Sequence, residues 1–206
     1  MNTFAIVTQV LRIAVPYLFA TAGGVIAERS GIISLTLEGY MLGGAFAAVV
    51  GTFYSGSPVV GALCGIGGGA VLALIHAIAS IRYRADQVIV GIAINLFAIG
   101  ITRFFLKLLF DSSSNSPRVG GFASGYANPL LWLGLLSTPL VAFMLFRTTF
   151  GLRVRATGEK PEAAASVGVP VHRVQYMAVL LSGALAALGG VYLALDQHQF
   201  TDQMTA

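Results

Sequence analysis

The chain has 206 residues, of which 56% are hydrophobic and only 10% charged, with mean hydropathy +0.83 and a net charge of +4. Soluble domains carry about a quarter charged residues, so this composition excludes an ordinary soluble fold and reads as a membrane protein. The basic residues fall between apolar runs, which points to loops on one side of a bilayer and gives no sign of a nucleic-acid partner.

A helix needs about 20 mostly apolar residues to cross the hydrocarbon core. The chain offers approximately six such stretches, Phe4–Ala27, Ile32–Gly51, Pro58–Ile81, Gln87–Phe110, Pro129–Phe146 and Val174–Leu195. The expected fold is therefore all-α, a polytopic transmembrane bundle. Arg12 interrupts the first stretch, so Phe4–Leu11 either spans or lies along the surface as an amphipathic lead-in. Two longer connections separate the spans: Asp111–Asn128, with the Ser, Asn, Gly and Pro of turns, and Arg147–Arg173, polar and basic. Alternate connections hold Arg29, Arg82, Arg84, Arg147, Arg153, Arg155, Lys160 and Arg173, against Arg12, Arg103, Lys107 and Arg118 on the other side. The excess of Lys and Arg marks the cytoplasmic side. It places 148–173 in the cytoplasm, Asp111–Asn128 outside and, by parity, the N-terminus outside.

Small residues recur every four positions at Gly61, Gly65 and Gly69, at Gly39 and Gly43, and at Gly183 and Ala187, the pattern that lets helix backbones approach in a membrane. This identifies a packed bundle and no solute. Cys64, the one cysteine, reads as a small buried hydrophobe, and no metal-ligand spacing accompanies it.

The run GIISLTLEGYMLGG, Gly31–Gly44, is apolar enough to span, yet it carries Ser34, Thr36 and Glu38 at a spacing of two, followed by Gly39. That spacing does not follow one helical face and predicts an extended or broken start. Unwound backbone at membrane depth survives where protein buries it or where it lines a wet cavity. A carboxylate at mid-helix costs about 2.5–3.5 kcal/mol on insertion scales, so Glu38 stands either on a pathway or near the interface, reaching back to Arg29 or held neutral by a hydrogen bond. Asn95, near the middle of the fourth span, bonds either another helix or a solute. Arg103 and Lys107 read as snorkelling anchors, and His76 as a satisfied bundle residue. With Glu38 the one titratable group in prospect as a relay partner, a proton relay has little to work with.

The segment Gly151–Gln175, GLRVRATGEKPEAAASVGVPVHRVQ, carries the strongest local signal. Pro161 opens a helix, Glu162 suits its positive end and Ala163, Ala164 and Ala165 continue it. Gly168 stops it in a left-handed conformation and Pro170 prevents its resumption. A helix of about two turns is unstable alone in water, so it must dock, on a partner protein or on the bilayer surface.

Glu162-Ala163-Ala164 followed by Gly168 resembles the EAA-x-x-x-G loop of the permeases of ATP-binding-cassette importers. The longer run GEKPEAAASVGVPVHRVQYMAVLLSGALAALGGVYLAL resembles the permeases for simple sugars and nucleosides, a branched-chain amino acid and ribose type of family. AERSGIISLTLEGYMLGGAFAA is similar to their ERxGVxNIGLEGMMLxGAF segment, and RYRADQVIVGIAINLFAIGITRF to the family's next connection and span. The resemblance implies that Pro161, Glu162, Ala163, Ala164 and Gly168 couple to a cytoplasmic ATPase. It places Ser34, Thr36, Glu38 and Gly39 near the solute pathway, with Asn95 a candidate beside them. It also implies a second permease subunit, an extracytoplasmic substrate-binding protein and membrane lipid as partners, with no cofactor or metal. Three departures stand out. Lys160 replaces an Asn that would cap the helix, Ser34 and Thr36 replace Asn and Gly, and the chain stops at FTDQMTA where the family continues. It is therefore expected to be C-terminally incomplete. No G-x-x-x-x-G-K-[ST] phosphate loop is present, so energy is expected from the partner ATPase. The second class is an ion-coupled secondary transporter, for which the intramembrane charges are sparse. For an enzyme, neither HExxH nor GxSxG occurs.

Overall fold

The computed structural model describes residues 3–112, 114–122, 128–201 and 204–205, with side chains from Gln9 onward. Parts of the expected Asp111–Asn128 connection and of the closing FTDQMTA run lie outside the described residues. Eight helices account for the described fold: α1 Thr3–Arg29, α2 Leu37–Ser55, α3 Pro58–Ala77, α4 Gln87–Phe110, α5 Pro129–Arg147, α6 Thr149–Glu159, α7 Pro161–Ser166 and α8 Val171–Asp196. A π-helical turn, Ile78–Arg82, prolongs α3.

Their ends are built from local chemistry. The Asp86 carboxylate accepts from the N–H groups of Val88 and Ile89 at the start of α4, Asn128 accepts from Leu130 N–H at α5, and Thr148 accepts from Gly151 N–H at α6. Each occupies a donor that a helix start leaves unpaired. At the other end of α1, Ile32 N–H bonds Ala27 O and Gly31 N–H bonds Glu28 O, while Gly31 takes φ +86°. That paired arrangement closes a helix through a left-handed glycine.

Five helices are long and apolar enough to cross a membrane: α1 from Gln9, α3 with its π turn, α4, α5 and α8. With α2 they make the six-span bundle. α2 runs 19 residues and carries Glu38 in its first turn, so its own composition is less apolar, but α1, α3, α4 and α8 pack around it. Three expected boundaries move. The second span begins as a helix at Leu37 and not at Ile32, because the preceding residues are extended. The last helix starts at Val171, three residues before the expected Val174, since Pro170 precedes it and begins the turn outside the apolar run. The first is one continuous helix through Phe4–Leu11, with Arg12 tied to Asp196 at 2.6 Å.

α1, α3 and α5 run one way and α2, α4 and α8 the other. Arg29, Arg82 and Arg147 thereby end their helices at one face, where α6 and α7 also lie. α8 is the post of the bundle, two-thirds buried along its most apolar stretch, whereas α4 is 22% buried there. Ile89, Leu96, Phe104 and Leu108 of α4 project outward, an apolar surface suited to lipid.

Around α8 the small residues make the contacts. A methyl built on Gly44 would stand 2.7 Å from the Ala187 methyl, and one on Gly65 would stand 2.8 Å from the Gly44 carbonyl oxygen. One on Gly23 would meet Ser182 O at 2.6 Å, and one on Gly190 would run into the Met41 carbonyl. Gly61, Gly65 and Gly69 all lie on the buried face of α3. Cys64, expected to be buried, is exposed instead, because one residue before Gly65 the helix has turned it about 100° off that face. With no hydrophobic drive between helices in lipid, such close backbone approach is what holds them together.

Candidate functional site

Between the end of α1 and the start of α2, the chain runs extended over Ile32–Ser34 and turns at Leu35 and Thr36. Side chains alternate as on a strand: Ile32, Ser34 and Thr36 point inward, and Ile33 and Leu35 point outward. A non-helical stretch leaves backbone groups that must find partners, and α4 supplies them. Ile33 N–H donates to Gln87 Oε1 at 2.7 Å. Asn95 Nδ2 donates to Leu35 O at 2.9 Å, and Asn95 Oδ1 accepts from Gly39 N–H at 2.9 Å. Turning the Asn95 amide over would break both of its bonds, which fixes its orientation. Gly39 belongs to this contact, since a methyl there would sit 2.8 Å from Asn95 Oδ1.

On the inner side, Thr36 Oγ1 and the Tyr40 hydroxyl lie 2.9 and 2.6 Å from His76 Nδ1. All three residues are fully buried. Thr36 precedes α2 but does not cap it, its hydroxyl being turned toward the histidine. His76 is satisfied at one nitrogen only, for Nε2 has no hydrogen-bond partner among the described residues, and neither has the buried Ser34 hydroxyl. Glu38 is half-buried in the first turn of α2, where the helix dipole favours a carboxylate. It makes no ion pair with Arg29; among the described residues the ion pair is Arg12–Asp196.

Ser34, Thr36, Glu38, Gly39 and Asn95 thus gather around the foot of α2, as one interhelical junction. Both ends of the Asn95 amide are taken by backbone, and the larger described cavities are lined by none of the five. Sequence reasoning missed Gln87 and Tyr40. The available signals were a polar residue opening an apolar span and an aromatic hydroxyl one turn beyond Thr36.

At the basic face, α7 is six residues long, with Pro161 at its first position and Glu162 in its first turn. Lys160 gives it no side-chain cap, and Gly168 ends it at φ +85°, with Gly168 N–H on Ala165 O and Val169 N–H on Ala164 O. Ala164 is buried, while Pro161, Glu162, Ala163 and Gly168 are exposed and Val167 is 78% exposed. Before it stands α6, an eleven-residue helix within what reads in the sequence as polar connection; its two glycines and β-branched residues weaken the helical signal. One of those glycines carries the contact. Gly158 packs on the turn after α1, so that a methyl on Gly31 would lie 3.3 Å from Gly158 Cα, and one on Gly158 would strike the Arg29 carbonyl. Gln175 Nε2 of α8 reaches Ser30 O at 3.3 Å on the same turn. The exposed short helix therefore connects through α6 to the turn from which the non-helical stretch departs.

The family described as branched-chain amino acid transport system / permease component matches residues 6–205. The guanosine ABC transporter permease protein NupQ of Bacillus subtilis is 35% identical, over 95% of this chain and 69% of its own length. The nucleoside ABC transporter permease protein NupC of Lactococcus lactis is 34% identical, over 94% of this chain and 68% of its own. The L-arabinose ABC transporter permease protein AraH of Azospirillum brasilense is 28% identical over 67% of this chain and 41% of its own. No solved structure matches the chain. With nearly the whole chain matched in order, and helices apolar enough for several crossings, this is a multi-pass inner-membrane protein that belongs to the branched-chain amino acid transport system permease family.

Proposed function

We propose that the chain is the membrane-spanning permease domain, residues 1–206, of an ATP-binding-cassette importer for a nucleoside or a simple sugar. The relatives named for guanosine, nucleosides and L-arabinose support that solute class. The basic face is the cytoplasmic one, and 148–173 is the coupling segment. ATP is hydrolysed by a partner subunit, not by this chain. A second permease subunit completes the pathway, and a substrate-binding protein delivers solute from outside.

The observation that carries the reading is the contact of Gly158 with Arg29–Gly31. α7 offers Pro161, Glu162, Ala163 and Val167 to a partner, and a push on it passes through α6 to the foot of α2. There a handful of side-chain bonds hold an unwound segment, with Ser34, Thr36, Glu38, Gly39 and Asn95 around it. Such an element has room for two arrangements, which closure of an ATPase pair can select. Glu162→Lys and Gly168→Pro test it in the assembled importer. Both variants should insert normally yet lose ATPase co-purification or uptake; unchanged association together with unchanged uptake in both would contradict the coupling role.

A further inference from the structure

At the end of the bundle opposite α6 and α7, a cleft of about 260 Å³ opens between α1 and α8. Its polar wall is Gln9, Arg12, Tyr192, Asp196, Gln197 and Thr205, and Met41, in the second turn of α2, lies at its edge. We propose that this cleft is a binding site for the vicinal diol of an uncharged sugar ring, the group that ribonucleosides and simple sugars share. It rests on the proposed solute class and adds a place for that solute on the permease itself.

Arg12 lies within an apolar helix and Asp196 at the end of another, 184 residues later. An ionised residue in a span marks a pathway or a partner by default. Here the partner is known, and it leaves much unused. One Arg12 Nη meets Asp196 Oδ2 at 2.6 Å, with 33% of the arginine side chain and 12% of the aspartate exposed. Arginine–carboxylate pairs frequently engage both prongs of each group. Instead, the other carboxylate oxygen makes no hydrogen bond among the described residues. The Tyr192 hydroxyl, on a residue 1% exposed, lies against the Arg12 guanidinium without reaching good hydrogen-bond geometry. A ligand hydroxyl in the cleft would complete its bonding.

These groups fit a diol. One hydroxyl donates to the free Asp196 oxygen, and its neighbour accepts from a guanidinium N–H, so the ring bridges the pair without separating it. Tyr192 donates or accepts as the ring requires. Pro16 and Met41 supply an apolar wall for the ring face. The ion pair is neutral overall, so an anion or a cation would meet no net attraction. A zwitterionic amino acid would have to pull the pair apart to match both of its charges, against the pair's own attraction. The cavity between α2, α3 and α4 lacks this chemistry, being lined by Phe46, Leu72, Phe97 and Phe105, and the one beside Arg82, Arg84, His172 and Tyr176 has no carboxylate.

The test is labelling of a Gln197→Cys, Cys64→Ala permease in vesicles by a membrane-impermeant maleimide, without ATP or binding protein. Ribose and guanosine at millimolar concentration should slow labelling by about threefold or more, as at a low-affinity site about two-thirds occupied or more. A nucleoside analogue lacking both ribose hydroxyls should not. Asp196→Asn, and the isosteric Tyr192→Phe, should keep the unliganded labelling rate and lose the protection. Absence of protection in the parent, equal protection by the analogue or by leucine, or protection undiminished in both variants would overturn the site. ATP-driven uptake by the parent importer is measured in parallel. Failure there overturns the transport reading, while the labelling result stands separately, since it needs no transport.

Discussion

Along α2, the upper part and the foot are held in different ways. From Gly43 to Gly51 its backbone rests on α3 and α8 through small residues, with a Gly44 methyl position 2.7 Å from Ala187 and a Gly51 one 2.8 Å from Cys64 Cβ. From Gly31 to Gly39 close contacts occur at Gly31 against Gly158, Leu35 against Gly91 and Gly39 against Asn95, and between them the chain hangs on Gln87, Asn95 and His76 by hydrogen bonds of 2.7–2.9 Å. Close packing of backbones tolerates no small displacement, because interiors are dense and respond to strain by failing or by shifting as a unit. Polar bonds between membrane helices are worth only about 0.6 kcal/mol on average, so they can be exchanged during a working cycle. The comparison separates a rigid post from a movable foot.

The largest effect should come from breaking the post. Gly44→Val places a branched side chain against Ala187 and should cost about 3 kcal/mol or more, the upper range of overpacking. The measurement is the amount of folded protein in the membrane and its melting in detergent, and a normally abundant, normally stable variant would refute the seam. At the foot the penalty is smaller. Asn95→Leu orphans Leu35 O and Gly39 N–H and should cost about 2 kcal/mol, given about 1–3 for an unpaired buried group. Asn95→Asp keeps an acceptor for Gly39 N–H but turns a carboxylate toward Leu35 O within a span, where a charge costs about 2.5–3.5 kcal/mol, and should lose at least as much as Asn95→Leu. A smaller loss in Asn95→Asp than in Asn95→Leu, read by unfolding in mixed detergent, would mean that the bond to Leu35 O is not a source of stability.

Much of this architecture is legible in the residues. The spacing of Ser34, Thr36 and Glu38 foretells the break, and Gly61, Gly65 and Gly69 foretell the packed face of α3. Pro161 through Gly168 spell out α7 with its ends. What stays hidden is pairing at long range. Nothing near Arg12 announces Asp196, and nothing near Asn95 decides between a solute and the backbone of another helix. The structure gives Asn95 to the backbone, since a stretch without helix must find its bonds outside itself. His76 reads in the sequence as satisfied, yet Nε2 lacks a partner among the described residues, because the hydroxyls of Thr36 and Tyr40 both converge on Nδ1. α6 is hidden because an amphipathic surface helix of eleven residues gains its stability from docking rather than from propensity. Gly158, the residue through which it docks, reads in isolation as a loop glycine.

Coupling through that glycine is the central claim, and Gly158→Ala addresses it at the contact itself. The added methyl meets the Arg29 carbonyl and lies 3.0 Å from Gly31 N, so α6 must back away from the turn it is meant to move. Stability should fall by about 1–3 kcal/mol, the usual cost of overpacking, so the variant is compared at equal amounts of assembled complex. The decisive quantity is the number of solute molecules moved per ATP hydrolysed, measured in vesicles holding the assembled importer with its binding protein. The account predicts that this ratio falls by about tenfold, a coupling loss of about 1.4 kcal/mol, with assembly and ATP hydrolysis retained. An unchanged ratio in a normally assembled complex would contradict it.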